Sequence, residues 1–329
     1  MRTRLLPQPA PGASRPVRQR LRPAMATTPA GAEGALPQGV TVAGLEDLCI
    51  RFATEAARFI RDERPERMGV AATKSSETDV VTVMDRRSEE LLHRLIQAAR
   101  PDDGILGEEG ADVAGTSGLT WVIDPIDGTV NYLYEVPAYA VSVAVVLGDA
   151  RAQGGWVPVA GAVADPCLRL VHHAGRGTGA WTSPEGAEGV GDRRDAPGPD
   201  RLSVSAEDRL ARTLLATGFG YDPEVRARQA EVLLRVLPQV RDIRRIGSAA
   251  LDLVRVAEGS VDAYAETGLN AWDLAAGWLV VEEAGGVVVG AEEHGPLSAP
   301  GKALTVAAGP ALVEQVRSLF VTPSGGASD

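Results

Sequence analysis

The stretch Trp121-Val122-Ile123-Asp124-Pro125-Ile126-Asp127-Gly128-Thr129 is an apolar run that stops in two carboxylates, a glycine and a threonine. The apolar run predicts a short buried strand, and the acidic end that follows predicts a site. Two carboxylates three residues apart at a strand end repel each other unless a cation lies between them. Oxygen ligands of this kind favour a hard ion such as Mg2+, to which the Ile126 carbonyl adds a further oxygen. Gly128 lets the backbone come close to a phosphate, with the Gly128 and Thr129 amides as donors and the Thr129 hydroxyl placed to orient a water. A turn in which both aspartates bond their own backbone is the alternative reading of the same residues.

Outward from this stretch the chain mixes helical and strand periods without regular alternation, which argues against a simple doubly wound parallel sheet. Leu45, Leu48, Cys49, Phe52, Ala56, Phe59 and Ile60 recur at helical spacing. Val80 to Met84 reads as a strand, and Asp85 as the N-cap of a helix carrying Leu91, Leu92, Leu95 and Ile96. The β-branched, glycine-punctuated segment 140–181 predicts several antiparallel strands, and 185–200 a variable loop. Helices are expected over 222–237, with Asp222 as cap and Pro223 in the first turn, over 248–258 before Gly259, over 273–284, and over 310–320. Strands are expected at 261–266, 287–289 and 304–307.

The chain has 329 residues, 44% of them hydrophobic and 23% charged, which is an ordinary globular composition with room for a large core. A net charge of −11 gives no support for direct nucleic-acid binding. No apolar run approaches the roughly 18 residues of a membrane helix. Cys49 and Cys167 form no paired-cysteine motif, and nothing argues for an oxidising compartment, so a cytoplasmic protein is expected. Residues 1–40, rich in arginine and proline, read as a disordered arm or as sequence upstream of a start at Met25. Residues 41–321 read as one domain and 322–329 as a flexible tail.

Three weaker features accompany the central one: Gly107-Glu108-Glu109-Gly110 after another apolar run, Trp272-Asp273 opening an apolar helix, and Lys74 with Asp79 and Asp85. Asp273 is also readable as a plain N-cap. In this order and combination the chain resembles the inositol monophosphatase family of lithium-sensitive, metal-dependent sugar phosphatases, and its SuhB-type bacterial members above all. The resemblance covers about Val42 to Phe320. It is carried by Trp121 to Tyr132 and by Trp272-Asp273-Leu274-Ala275-Ala276-Gly277, with Glu282, Ala284, Gly285 and Gly286 following.

The resemblance implies a layered α/β (α+β) fold, an αβαβα sandwich, assembled as a homodimer. It implies that Glu108, Asp124 and the Ile126 carbonyl hold an activating Mg2+, that Asp124, Asp127 and Asp273 hold a second, and that Glu108 and Asp85 surround a weaker third. Thr129 with Glu108 would orient the attacking water. Gly128, Thr129, Gly247, Ser248 and Ala249 would line the phosphate and substrate pocket, Glu266 would accept bonds from substrate hydroxyls, and Lys74 would sit on a nearby loop. The implied reaction is hydrolysis of inositol monophosphate by metal-activated water, without a covalent nucleophile. Histidinol phosphate, fructose 1,6-bisphosphate or 3′-phosphoadenosine 5′-phosphate are the rival substrates, and Val130-Asn131-Tyr132 favours the inositol type. A non-enzymatic rival is a partner role in an RNA-linked transcription complex. His172-His173 read as unfit for zinc, since strand neighbours face opposite sides. Arg241, Arg244 and Arg245 read as a solvated face, with a place near the substrate pocket as the alternative, and Tyr132, Tyr134 and Tyr139 read as packing residues.

Overall fold

A computed structural model describes residues 36–66, 72–73, 80–110, 112–151, 155–186, 200–291 and 300–321. The first helix, α1 (Val42–Asp62), is capped by Thr41, whose hydroxyl accepts the Gly44 amide at 3.1 Å. Its inner face is Leu45, Cys49, Phe52, Ala53, Ala56 and Ile60, the helical spacing expected of it. Leu36 and Val40, inside the segment expected as a disordered arm, pack against the same core. Two short strands, β1 (Ala72–Thr73) and β2 (Val80–Val81), pair antiparallel ahead of α2 (Val83–Ala99). Val83 and Met84 are therefore helical rather than strand. The N-cap is Thr82 and not Asp85, because Asp85 sits at the third helical position and bonds back to Thr82 in a capping box.

The large sheet runs β3 (Gly104–Gly107), β4 (Leu119–Asp127), β5 (Ala140–Gly148), β6 (Trp156–Asp165), β7 (Leu170–Gly175), β8 (Gly179–Pro184) and β9 (Asp200–Arg201) in chain order. Only its first pair is parallel. β5 and β6 read as nearly continuous apolar runs because both of their faces are covered. A smaller mixed sheet has the order β11 (Asp242–Arg244), β10 (Leu214–Thr217), β12 (Ala263–Glu266), β14 (Thr305–Ala308) and β13 (Val287–Val289).

Helices α1 and α2 cover one face of the large sheet. Between the two sheets lie α5 (Ala249–Ala257) and α6 (Ala271–Glu283), and outside the small sheet lie α4 (Pro223–Val236) and α7 (Val313–Phe320). The result is the five-layer αβαβα sandwich expected. Leu274 to Val281 of α6 are all buried, as a helix that is apolar all round must be. It approaches the sheet closely: a Cβ on Gly161 of β6 would lie 2.9 Å from the Ala276 Cα. Its N-cap is Asn270, so Asp273 is the third helical residue and not the cap. α7 begins at Val313, not at Pro310. The five-residue helix α3 (Thr129–Leu133) and the strand β10 carry no readable period, being too short to repeat one.

Candidate metal and phosphate site

Asp124 and Asp127 both lie in β4. Residues three apart on a regular strand face opposite sides, and the backbone resolves this with a bulge. Asp124 pairs with Ser142 and Asp127 with Ala140, so β4 spends one residue more than β5 over that interval. Pro125, which has no amide to donate to a ladder, falls in the bulge. The two carboxylates then share a side, where Asp273 joins them from the first turn of α6. One oxygen from each of Asp124, Asp127 and Asp273 lies within 4.8 Å of the others.

Each of these acids has a structural anchor. Asp127 Oδ2 accepts the Ser248 hydroxyl at 2.6 Å and the Ala250 amide at 2.7 Å, at the N-terminus of α5. Asp124 Oδ1 accepts the Ile126 amide at 3.0 Å, and Asp273 Oδ2 the Asn270 amide at 2.6 Å. Burial pushes the Asp124 and Asp273 carboxyls well above the usual range, and the charge of Glu108 and of the other acids pushes them further. Asp127 is raised by burial too, opposed by Ser248 and by the α5 amides. A buried group of repelling oxygen donors is costly unless a hard multivalent cation neutralises it, so the residues present fit Mg2+.

Glu108 follows β3, partly buried, close enough to raise both Asp124 and Asp273. Thr129 Oγ1 lies 2.9 Å from Asp85 Oδ1 and 3.1 Å from the Ile126 carbonyl. Its single proton serves one of them at a time, leaving lone pairs free. The other Asp85 oxygen takes the Thr82 amide at 2.8 Å and the Thr82 hydroxyl at 2.5 Å. Burial raises the Asp85 carboxyl to about 6.

Gly128 is left-handed (φ 92°), and a Cβ there would sit 3.1 Å from the Gly247 carbonyl and 3.4 Å from Ser248 Cβ. The Gly247-Ser248-Ala249 segment thus closes directly on the Asp127-Gly128 turn. Glu266, at the end of β12, accepts the Tyr264 hydroxyl at 2.6 Å and is raised to about 7 by burial, with Asp127 adding to the shift. The structure therefore brings together Asp85, Glu108, Asp124, Ile126, Asp127, Gly128, Thr129, Gly247, Ser248, Ala249, Glu266 and Asp273. Lys74 and Asp79 lie outside the described residues.

Several nearby residues are not singled out by the sequence. Asn131 Nδ2 donates to the Ala138 and Ile246 carbonyls at 2.7 and 2.9 Å, fastening α3 to the 245–249 segment. Asp252 of α5, 1% exposed, is raised to about 9 by burial and by Glu266. Arg245 is exposed, as on a solvated face, and also near the pocket, the other reading of it: its charge reaches Asp127, Glu266 and Asp252 and opposes the rise of each. Its adjacency to Gly247-Ser248 was the available signal. Arg244 is exposed and paired with Asp242 at 2.7 Å, as a surface arginine should be. Tyr132 and Tyr139 pack edge to face at 4.9 Å, whereas Tyr134 is exposed, correcting its packing assignment. The histidines are buried on opposite faces of β7: His172 Nδ1 lies 2.8 Å from Thr182 Oγ1, and His173 Nδ1 lies 2.7 Å from Glu46.

This combination, a five-layer αβαβα sandwich with buried carboxylates gathered around one strand end, defines a metal-dependent hydrolase architecture. The chain is 43% identical over 288 residues to the inositol-1-monophosphatase SuhB of Mycobacterium tuberculosis, covering 83% of this chain and 92% of that protein. It is 36% identical over 272 residues to the Nus factor SuhB of Pasteurella multocida, covering 82% and 93%. Among solved structures, Mycobacterium tuberculosis SuhB superposes with a TM-score of 0.67 at 40% identity, over 84% of this chain and 96% of that one. The inositol monophosphatase family profile matches residues 45–321. The chain belongs to the inositol monophosphatase family, and is with it a phosphoric monoester hydrolase.

Proposed function

We propose that the protein hydrolyses inositol monophosphate to myo-inositol and phosphate in a Mg2+-dependent reaction, as a cytoplasmic homodimer built on one domain over residues 41–321. The observation that carries this reading is the convergence of Asp124, Asp127 and Asp273 within 4.8 Å, in a chain of this family. Asp124, Asp127, Asp273, Glu108 and the Ile126 carbonyl are the groups that would hold the ions, with Asp85 beside them for a weaker third. Bound there, Mg2+ supplies Lewis acidity and neutralises charge on the phosphoryl oxygens.

The remaining work falls to the chain. The Gly128 and Thr129 amides donate to phosphate oxygens, and Lys74 is a further substrate contact. Glu108 and Thr129 orient the attacking water, and the Thr129 hydroxyl is itself held by Asp85. Gly247, Ser248 and Ala249 wall the pocket, and Glu266 accepts hydrogen bonds from ring hydroxyls. Positioning and charge stabilisation are what phosphoryl transfer chiefly needs. The homodimer is supported by exposed apolar side chains, Tyr134 (74%), Val136 (43%) and Leu168 (54%). They adjoin a cleft of about 490 Å3 whose lining includes Arg61, Arg64, Glu135, Tyr139 and Cys167.

Phosphate release from inositol 1-phosphate, histidinol phosphate, fructose 1,6-bisphosphate and the adenosine bisphosphate, with Mg2+ and with chelator, tests the substrate. The highest specificity constant should belong to inositol 1-phosphate and vanish with chelator; preference for another member moves the pathway and keeps the site. A second reading, partnership in an RNA-linked transcription complex, is favoured by the Pasteurella multocida relative named a Nus factor. Recovery of polymerase-associated factors on the native protein would support it, and clean eluates would remove it.

A further inference from the structure

β10 and β12 run parallel with Thr217 opposite Ala265, so the next residue of each strand end, Gly218, falls opposite Glu266. A Cβ added to Gly218 would run into the Glu266 carboxylate, its three nearest atoms being the two carboxylate oxygens and the carbon between them. Gly218 has no left-handed backbone, so space and not conformation asks for glycine here. The obstacle is the tip of a flexible side chain, which can swing aside where backbone cannot. A larger residue at 218 would therefore move the carboxylate before it disturbed the fold. Across β14, Thr305 stands opposite Glu266, yet its hydroxyl has no hydrogen-bond partner among the described residues. The carboxylate is turned to the β10 side instead, where Oε2 accepts the Tyr264 hydroxyl at 2.6 Å.

The chain leaving Gly218 is tied down from α4. Gln229 Oε1 accepts the Gly220 amide at 3.0 Å, and Gln229 Nε2 donates to Thr267 Oγ1 at 2.8 Å. A backbone amide only donates, so the Gly220 bond fixes which end of the Gln229 carboxamide faces which partner. One side chain thus joins the residue two beyond Gly218 to the residue directly after Glu266. A glutamine bonded twice is in many places only a brace between a helix and a loop. Here the two segments it holds are those that carry the glycine and the carboxylate it makes room for.

We propose that Gly218 is a specificity-determining residue and Gln229 a positioning residue: Gly218 leaves the space that the Glu266 carboxylate fills, and Gln229 holds the 218–220 loop and Thr267 together around it. The pocket then selects phosphate esters whose leaving group carries hydroxyls, because a carboxylate held in one place accepts hydrogen bonds that a wandering one does not. The inference rests on the reading of Glu266 as the acceptor of ring hydroxyls.

The test compares specificity constants for inositol 1-phosphate and for phenyl phosphate, whose leaving group has no further hydroxyls. Both are measured with the full chain as wild type, Gly218→Ala, Gln229→Leu, Gln229→Glu and Glu266→Gln. The ratio of the two constants is read, since a loss of folded or metal-loaded protein lowers both alike and cancels. The ratio should fall roughly tenfold in Gly218→Ala and in Gln229→Leu, the loss of a hydrogen bond to a charged group. The fall should lie in KM for inositol 1-phosphate and not in kcat, as for a contact made equally in ground and transition states. Gln229→Glu should keep the wild-type ratio, because its carboxylate accepts both the Gly220 amide and the Thr267 hydroxyl. Hydrogen exchange at the Gly220 amide should quicken in Gln229→Leu, and unchanged exchange would overturn the positioning role. A ratio that falls in Glu266→Gln but holds in Gly218→Ala and Gln229→Leu would overturn this inference and leave Glu266 in its role. A ratio that holds in Glu266→Gln would overturn the reading of Glu266, and the inference with it.

Discussion

At Asp127 three demands meet in one side chain: a buried charge, two hydrogen bonds from the α5 N-terminus, and a place in the acidic cluster. An amide keeps the shape and removes the charge. Asp127→Asn should therefore lower turnover by about a hundredfold or more, since several kcal/mol of metal-borne charge stabilisation goes with it. The metal-free fold should melt no lower than wild type, because one source of repulsion is gone. Wild type should gain about 2.7 kcal/mol of stability when Mg2+ stands at a hundred times its Kd, and the variant much less. Thermal melts with and without Mg2+ separate the two effects; near-normal turnover at saturating Mg2+ would remove Asp127 from its role. The residue types were legible from Asp124 to Thr129, because two acids directly after a buried run are costly there without a cation. Asp252 was not, because a helical aspartate suits a solvated surface equally well, and for Arg245 the sequence left a solvated face and the substrate pocket both open.

Among the elements, α5 carries the most concentrated dependence. Ser248 caps it, accepting the Leu251 amide at 3.3 Å, and donates to Asp127 at 2.6 Å. Ser248→Ala should cost about 1 kcal/mol through the lost cap. It should also weaken Mg2+ binding by roughly 10- to 100-fold through the unsupported carboxylate, and Ser248→Thr should restore both. Urea titration reads the first effect, and the Mg2+ dependence of phosphate release the second. A stability loss with unchanged Mg2+ dependence would show that the bond to Asp127 is only structural. Caps were the least legible part of the elements. Asp85 and Asp273 each stand third in a capping box, and their helices begin before them at Thr82 and Asn270. An aspartate at either place satisfies amides of the first turn, so composition alone does not separate the two positions.

For the whole molecule, His172 of β7 links the fold to pH. Burial, helped by the charges of Arg255 and His173, holds His172 down at about 3 from an ordinary 6.5. Between those limits the unfolded chain binds a proton that the folded chain refuses, so stability is lost on acidification, by at most about 1.4 kcal/mol per pH unit. Asp85 and Glu266, raised to about 6 and 7, act in the opposite sense, gaining stability as pH falls. Comparison with His172→Asn, which keeps a polar atom near Thr182, isolates the histidine's share. Urea titrations at pH 7.5 and 4.5 should show a larger acid loss in wild type than in the variant; equal losses would rule out this coupling.

The sequence by itself determined the helices with a full apolar period, the central strands of the large sheet but not β9, and the carboxylates, glycines and threonine of the site. These rest on local chemistry: side-chain period, backbone permissiveness at Gly128, and the rarity of acids after buried runs. Tertiary structure alone decided that Asp124 and Asp127 face one way, through the bulge against β5, and that Asp273 reaches them from between two sheets. It also decided that α5 points its first amides at Asp127. Such relations depend on which strand pairs with which and how closely α6 approaches Gly161, and no neighbour in the chain carries that information.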